Sequence, residues 1–300
     1  MPEAATTEPT PGRLESTNGA RVFYRAWERP GSRGLILCVH GLGEHSGRYG
    51  RLAEAVREVD LDLYALDLRG HGRTTGRRGH VADFADLLRD LDRLWDRACD
   101  EVPGRATFVL GHSLGGLVAG RWIETFAPDG LLGAVFVAPF VDVAVRVPGW
   151  KRSLGAAADR LVPALSLDNG LALEDLFRRE EDRRAYDDDP LVHRRISARM
   201  WGEMGRAAAS LVRDADRLAV PALFQLAGED RIVCNAAARR LAASLTPPTE
   251  VMEYEGAHHA LYHDPASGTA LADLRAWLGA RIDGDAAMRE TTAAIKGRTT

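Results

Sequence analysis

Five residues in the middle of the chain, Gly111-His112-Ser113-Leu114-Gly115, have the types and spacing of a nucleophile turn. A serine hydroxyl is a poor nucleophile near neutral pH, so the chemistry needs a base to take its proton and a carboxylate to hold that base. Where a G-x-S-x-G joins a strand to a helix, the acid and then the histidine follow later in the chain. Two later segments supply them. Gly228-Glu229-Asp230 offers a carboxylate and Ala257-His258-His259 an imidazole, each soon after an apolar run. Asp230 is preferred to Glu229 for its shorter side chain, although residue type alone does not separate the adjacent pair. Asp142 is the minor alternative acid, and His258 and His259 stay equivalent at this level.

The tetrahedral intermediate of such a reaction requires two preorganised N–H donors. Leu114 supplies one because it follows the nucleophile. Leu42, in His40-Gly41-Leu42-Gly43, supplies the other from a loop whose glycines admit close backbone approach. The bland alternative is a Gly-rich turn with an incidental serine. Its flanks argue against that, because residues 107–110 read as a strand and 114–126 as a helix.

Those flanks belong to a longer alternation. Short apolar runs at 35–40, 61–66, 107–110, 134–138, 222–227 and 250–254 read as buried parallel strands. Helical periods occupy 49–58, 84–99, 114–126, 236–244 and 265–282, with Phe84, Leu87, Leu88, Leu91, Leu94 and Trp95 marking one apolar stripe. Residues 13–27, with Asn18-Gly19 at their centre, read as an antiparallel hairpin at the sheet edge. The class is therefore α/β, a mostly parallel sheet with helices on both faces. Alternation fails between 141 and about 218, where Pro148, Pro163, Pro190 and the acidic run 187–189 interrupt amphipathic fragments. An insertion this long reads as a cap over the carboxyl edge of the sheet. The expected division is a disordered leader at 1–12, a core at 13–142 and 217–282, a cap at 143–216 and a polar tail at 283–300.

Composition sets bounds. Three hundred residues, 45% of them hydrophobic, suit one core with an accessory layer. A net charge of -4 gives no footprint for nucleic acid. Cys38, Cys99 and Cys234 are scattered, so neither a disulfide framework nor a zinc site is indicated, and a reducing, cytoplasmic setting fits best. No run is long and apolar enough for a membrane span. The chemistry calls for no metal and no cofactor.

Several motifs in order resemble the monoacylglycerol lipase and lysophospholipase branch of the α/β-hydrolases. They are His40 through Tyr49 (HGLGEHSGRY), Asp67 through Arg73 (DLRGHGR), Gly111 through Gly116, Asp188 through Val192 (DDPLV) and Tyr254 through His259 (YEGAHH). The resemblance spans roughly 13–282. It implies an eight-stranded sheet with one antiparallel strand, a helical cap after the sixth strand, Asp230 as the acid and His259 as the base. It also supports Leu42 and Leu114 as the oxyanion-hole backbones.

Substrate recognition is read from the cap and from the polar end that the resemblance implies. Trp150, Leu154, Leu161 and Leu165 fall near one helical face, which suits an acyl chain or a lipid surface, and equally suits packing on the domain itself. Glu44, Arg48 and Tyr186 stand where the family carries polar head-group residues. Tyr262 replaces the histidine that animal members carry three residues after the catalytic one, and His263 follows it. Cys234 resembles a family cysteine but is displaced by one residue. The expected activity is hydrolysis of a carboxylic ester through an acyl-enzyme, with a monoacylglycerol as first substrate. Lysophospholipase, short-chain carboxylesterase, thioesterase or peptidase activity on the same triad is the alternative, and a catalytically silent binding module is the alternative of another class.

Overall fold

The computed structural model describes residues 8–101, 105–145 and 148–297. Two strands, β1 (Thr10–Glu15) and β2 (Arg21–Trp27), form the expected hairpin. Asn18 and Gly19 turn it with left-handed φ values of 58° and 70°, which asparagine and glycine tolerate best. The core continues through β3 (Gly34–Val39), α1 (Gly50–Arg57), β4 (Leu61–Leu66), α2 (Ala85–Glu101), β5 (Ala106–His112), α3 (Leu114–Phe126) and β6 (Leu131–Val137).

After β6 the chain leaves the sheet. It builds α4 (Gly149–Leu161), β7 (Ser166–Asp168), α5 (Leu173–Leu176), α6 (Glu180–Asp187), β8 (Arg195–Ser197) and α7 (Ala198–Arg213). It then returns through β9 (Ala222–Ala227), α8 (Asn235–Ser244), β10 (Thr249–Tyr254) and α9 (Ser267–Gly297). The eight-stranded sheet has the order β1-β2-β4-β3-β5-β6-β9-β10, parallel from β4 onward. Strand β2 is antiparallel to both of its neighbours. This is the expected α/β-hydrolase architecture.

Strands β3, β4, β5 and β9 are buried at every position and mostly apolar because both faces are covered. In β3, Leu35, Leu37 and Val39 point into a core shared with Leu91 and Trp95 of α2, Trp122 of α3 and Leu241 of α8. Ile36 and Cys38 point the other way, toward Leu52 and Val56 of α1 and Trp277 and Leu278 of α9. Every carboxyl end of β3, β5, β9 and β10 therefore opens on the same edge, where loops can carry chemistry.

Both ends differ from the expected division. Strand β1 begins inside the anticipated leader, because Thr10 to Gly12 pair in register with Ala26 to Tyr24. Helix α9 runs on to Gly297, through most of the anticipated tail. Alanine, Glu, Met and Lys in that stretch are good helix formers, which a reading by polarity overlooks. Residues 1–7 and 298–300 of those two segments lie outside the described residues. Among the described residues, no helix is long and apolar enough to cross a membrane.

Candidate active site

Strand β5 ends one residue before Ser113, and α3 begins one residue after it. Ser113 itself adopts φ 52° and ψ −116°, a strained conformation for a residue with a side chain. Its neighbours hold it there. The Ser113 N–H donates to Val137 O at 3.0 Å, and the Ser113 carbonyl accepts from Gly116 N at 2.9 Å and Phe140 N at 3.0 Å. A Cβ on Gly115 would lie 1.9 Å from Val39 O, and one on Gly111 would lie 2.2 Å from Gly115 O. Only glycine lets this turn pass so close to β3 and to itself. The geometry is that of a nucleophile elbow.

After β9, Asp230 turns inward. Its Oδ2 lies 2.7 Å from His259 Nδ1, and its Oδ1 accepts from the N–H groups of Ile232 and Val233, both at 2.9 Å. Burial would raise its pKa, but the His259 charge and hydrogen bond, with the two N–H donors, bring it below the usual aspartate range. Glu229 points outward, 58% exposed. His258 also turns away from the acid, with Nδ1 2.8 Å from the Glu174 carbonyl in the cap. Asp142 accepts from Val143 N in the first turn of the chain beyond β6. Of the alternatives left open by residue type, the structure thus brings Asp230 and His259 together.

Beyond β3, the HGLGEH loop is fixed by its own side chains. His40 Nε2 accepts from Leu68 N at 2.9 Å, which leaves Nδ1 as the N–H donor to Gly41 O at 2.7 Å. Neither Leu42 nor Leu114 has a hydrogen-bond acceptor for its backbone N–H among the described residues. The cap's DDPLVH segment grips the same loop from outside. His193 N donates to Gly43 O at 2.9 Å, and His45 Nε2 lies 2.8 Å from Asp189 Oδ2. A second tie runs from Ser197 N to Gly79 O at 2.8 Å.

Behind His112 lies a small cleft, walled among others by Glu44, Arg48, Arg51, Tyr262 and His263. The Arg48 guanidinium sits 5.4 Å and 4.8 Å from the ring centres of Phe177 and Tyr186, a cation–π sandwich. Its buried Nε has no hydrogen-bond partner among the described residues. Burial, with Arg48 close by, pushes the His263 imidazole below the ordinary histidine range. Tyr186 is buried against Arg48, outside the cleft wall. Tyr262 presents its ring to the cleft while its hydroxyl donates to Gln225 Oε1 of β9 at 2.6 Å.

Trp150 and Leu154 differ from the expectation that they line a pocket. They are 66% and 63% exposed on the outside of α4, with Leu161 at 81%, and Leu165, beyond the end of the helix, at 47%. The opposite face of α4 carries Asp159, which pairs with Arg199 and Arg206 of α7, so the apolar stripe is turned to solvent. Cys234 sits partly buried at the start of α8. Sequence reasoning also missed a contact: His112 Nδ1 lies 2.9 Å from Glu44 Oε1. Those residues are 68 positions apart, and nothing in either local pattern signals the other.

The profile described as serine aminopeptidase, S33, matches residues 30–266. Human monoglyceride lipase is 31% identical, with 94% of this chain and 97% of that protein covered. The monoacylglycerol lipase of Mycolicibacterium smegmatis is 28% identical over 87% of this chain and 93% of its own length. Among solved structures, the monoacylglycerol lipase of Paleococcus ferrophilus superposes with a TM-score of 0.77 at 33% identity, covering 87% of this chain and 99% of that one.

Proposed function

The chain belongs to the serine aminopeptidase S33 family of α/β-hydrolases and is a serine hydrolase of carboxylic esters; from that premise we propose that it is a monoacylglycerol lipase working through Ser113, Asp230 and His259. The observation that carries this reading is the 2.7 Å contact of His259 with Asp230 on the sheet edge where Ser113 occupies a strained elbow. In the proposed mechanism His259 takes the Ser113 proton as Oγ attacks the ester carbonyl, and Asp230 stabilises the imidazolium that forms. The oxyanion is received by the N–H groups of Leu42 and Leu114. Collapse expels glycerol, protonated by His259, and leaves an acyl-serine. Water, deprotonated by His259, attacks that ester; the bond to Ser113 Oγ breaks, His259 returns the proton to Oγ, and the fatty acid leaves. The protein's own groups suffice for each step.

Residues 143–216 serve in this reading as a lid on a core made of 13–142 and 217–282. The outward stripe of Trp150, Leu154 and Leu161 rests on the lipid surface from which substrate is drawn. Glu44, Arg48 and Tyr262 shape the polar end that receives the head group, and Tyr186 supports Arg48 from behind. Lysophospholipid is the second reading, favoured by two guanidinium groups, Arg48 and Arg51, at the cleft. One panel tests both: kcat/KM for monoacylglycerols, lysophospholipids and p-nitrophenyl esters of varied chain length. Preference for long-chain monoacylglycerol supports the proposal. Preference for lysophospholipid moves the assignment to the second reading, and turnover of short soluble esters alone removes the lipase assignment.

A further inference from the structure

We propose that His112 is a positioning residue, held doubly protonated between the Glu44 carboxylate and the His259 carbonyl so that three reacting loops keep one register. The inference rests on the assignment of Ser113, His259 and Leu42 made above.

Both ring nitrogens of His112 face acceptors. Nδ1 lies 2.9 Å from Glu44 Oε1, and Nε2 lies 3.2 Å from the backbone carbonyl of His259. A neutral imidazole has one N–H and one lone pair, so one of these contacts would set lone pair against lone pair. An imidazolium donates to both. The electrostatics agree in direction. Burial opposes the charge on His112, but the hydrogen bond and charge of Glu44 outweigh it and raise the group above the ordinary histidine range. Burial would likewise raise Glu44, yet His112 and then Arg48 pull it well below the ordinary glutamate range.

Glu44 passes the constraint on. Its Oε1 also accepts from Gly41 N at 2.7 Å and from the Tyr49 hydroxyl at 2.9 Å. Gly41 precedes Leu42, and His112 precedes Ser113. A continuous run of bonds therefore links the oxyanion loop, the nucleophile elbow and the loop of the base. A buried ion pair seldom stabilises a fold more than apolar side chains of the same size, because desolvation offsets its attraction. A placement touching all three loops is what registration requires. Other charged or titratable groups facing the pair are Cys38 and His40 of β3 and its following loop, Arg48 and Tyr49 beside Glu44, Arg51 on α1, Tyr186 on α6, Asp230 after β9, and His259, Tyr262 and His263 after β10. Of these, the Asp230 carboxylate adds to the field that favours the imidazolium.

The test is the pH dependence of kcat on a soluble ester for the wild type, Glu44→Gln and His112→Gln. Wild-type kcat should fall on an alkaline limb as His112 loses its second proton. In Glu44→Gln, on a p-nitrophenyl ester that brings no glycerol to Glu44, the limb should move down by about one pH unit or more, with kcat at least about tenfold lower and KM within about twofold. In His112→Gln, kcat should be low throughout and that limb absent. An unmoved limb, or kcat within about twofold of wild type in both variants, overturns the proposal. Wild-type protein carrying 15N-labelled histidine needs no variant to fold. One imidazole that keeps both protons at a pH where ordinary histidines have lost one is expected, and the absence of any such ring overturns the proposal. Ser113→Ala separates the two levels. If that variant stays active, the site assignment fails; if it is inactive while the His112 results are negative, the positioning role alone fails.

Discussion

Glu229 and Asp230 are adjacent carboxylates with opposite fates. Asp230 spends one oxygen on His259 and the other on two backbone N–H groups, whereas Glu229 projects into solvent. Asp230→Asn should therefore lower kcat by about 10⁴, because the amide no longer selects the tautomer or supports the imidazolium. Glu229→Gln and His258→Gln should stay within about threefold in the same esterase assay. Loss of activity in Glu229→Gln with full activity in Asp230→Asn would move the acid to the neighbouring position. The candidate chemistry was legible at this scale because each of the three side chains comes within a few residues of a strand's end, and strand ends are visible as apolar runs. His112 was not legible as part of a pair. Its partner comes from another loop, and only the fold sets the two ring nitrogens between a carboxylate and a carbonyl.

Helix α3 shows how an element is fixed at both ends. Its first turn packs so tightly on β3 that Gly115→Ala should lower stability by about 1–3 kcal/mol and depress activity with it, seen as an earlier urea midpoint. An unchanged midpoint would mean that β3 yields at no cost. Toward the other end, Glu124 is buried beside Arg121, with Oε1 lacking a hydrogen-bond partner among the described residues. Burial pushes its carboxyl from 4.5 up to about 7, with Arg121 offsetting part of the effect. The folded state thus holds a proton that the unfolded state has released. The stability this contributes is whole below about pH 4.5 and is lost as pH rises through about 7. Glu124→Gln should raise stability by about 1–3 kcal/mol at alkaline pH and leave it nearly unchanged at about pH 5. A Tm gain of equal size at both pH values would contradict that origin.

Strands buried on both faces were read from sequence to within a few residues, since continuous apolar runs leave little choice. The chain ends were misread. Thr10 to Gly12 are held by ladder hydrogen bonds to β2, and the extension of α9 by helix propensity, neither of which a polar composition reveals.

At the scale of the whole molecule, the cap presents two unlike faces. Its inner segments tie to the oxyanion loop through His193 and Asp189, while α4 turns Trp150, Leu154 and Leu161 outward. A Trp150→Ser, Leu154→Ser double variant should lose at least about tenfold in kcat/KM on monoacylglycerol held in vesicles, since each buried large side chain contributes about 1.5–3 kcal/mol. Its rate on a soluble ester should change less than about twofold. Equal losses on both substrates would place these residues in the folding of the cap instead of at a lipid surface. Periodicity had marked Trp150, Leu154 and Leu161 on one face, although α4 stops at Leu161 and Leu165 lies beyond it; whether the stripe faces inward or outward depends on Asp159 pairing with α7, which only the assembled cap reveals.

The most direct measurement treats the intact protein with a fluorophosphonate at neutral pH and maps the modified peptide by mass spectrometry. The expected result is one adduct per chain on Ser113, formed in step with the loss of monoacylglycerol hydrolysis and absent from Ser113→Ala. Hydrolysis that persists while Ser113 is fully modified, or an adduct on another residue that tracks the loss, would contradict Ser113 as the nucleophile.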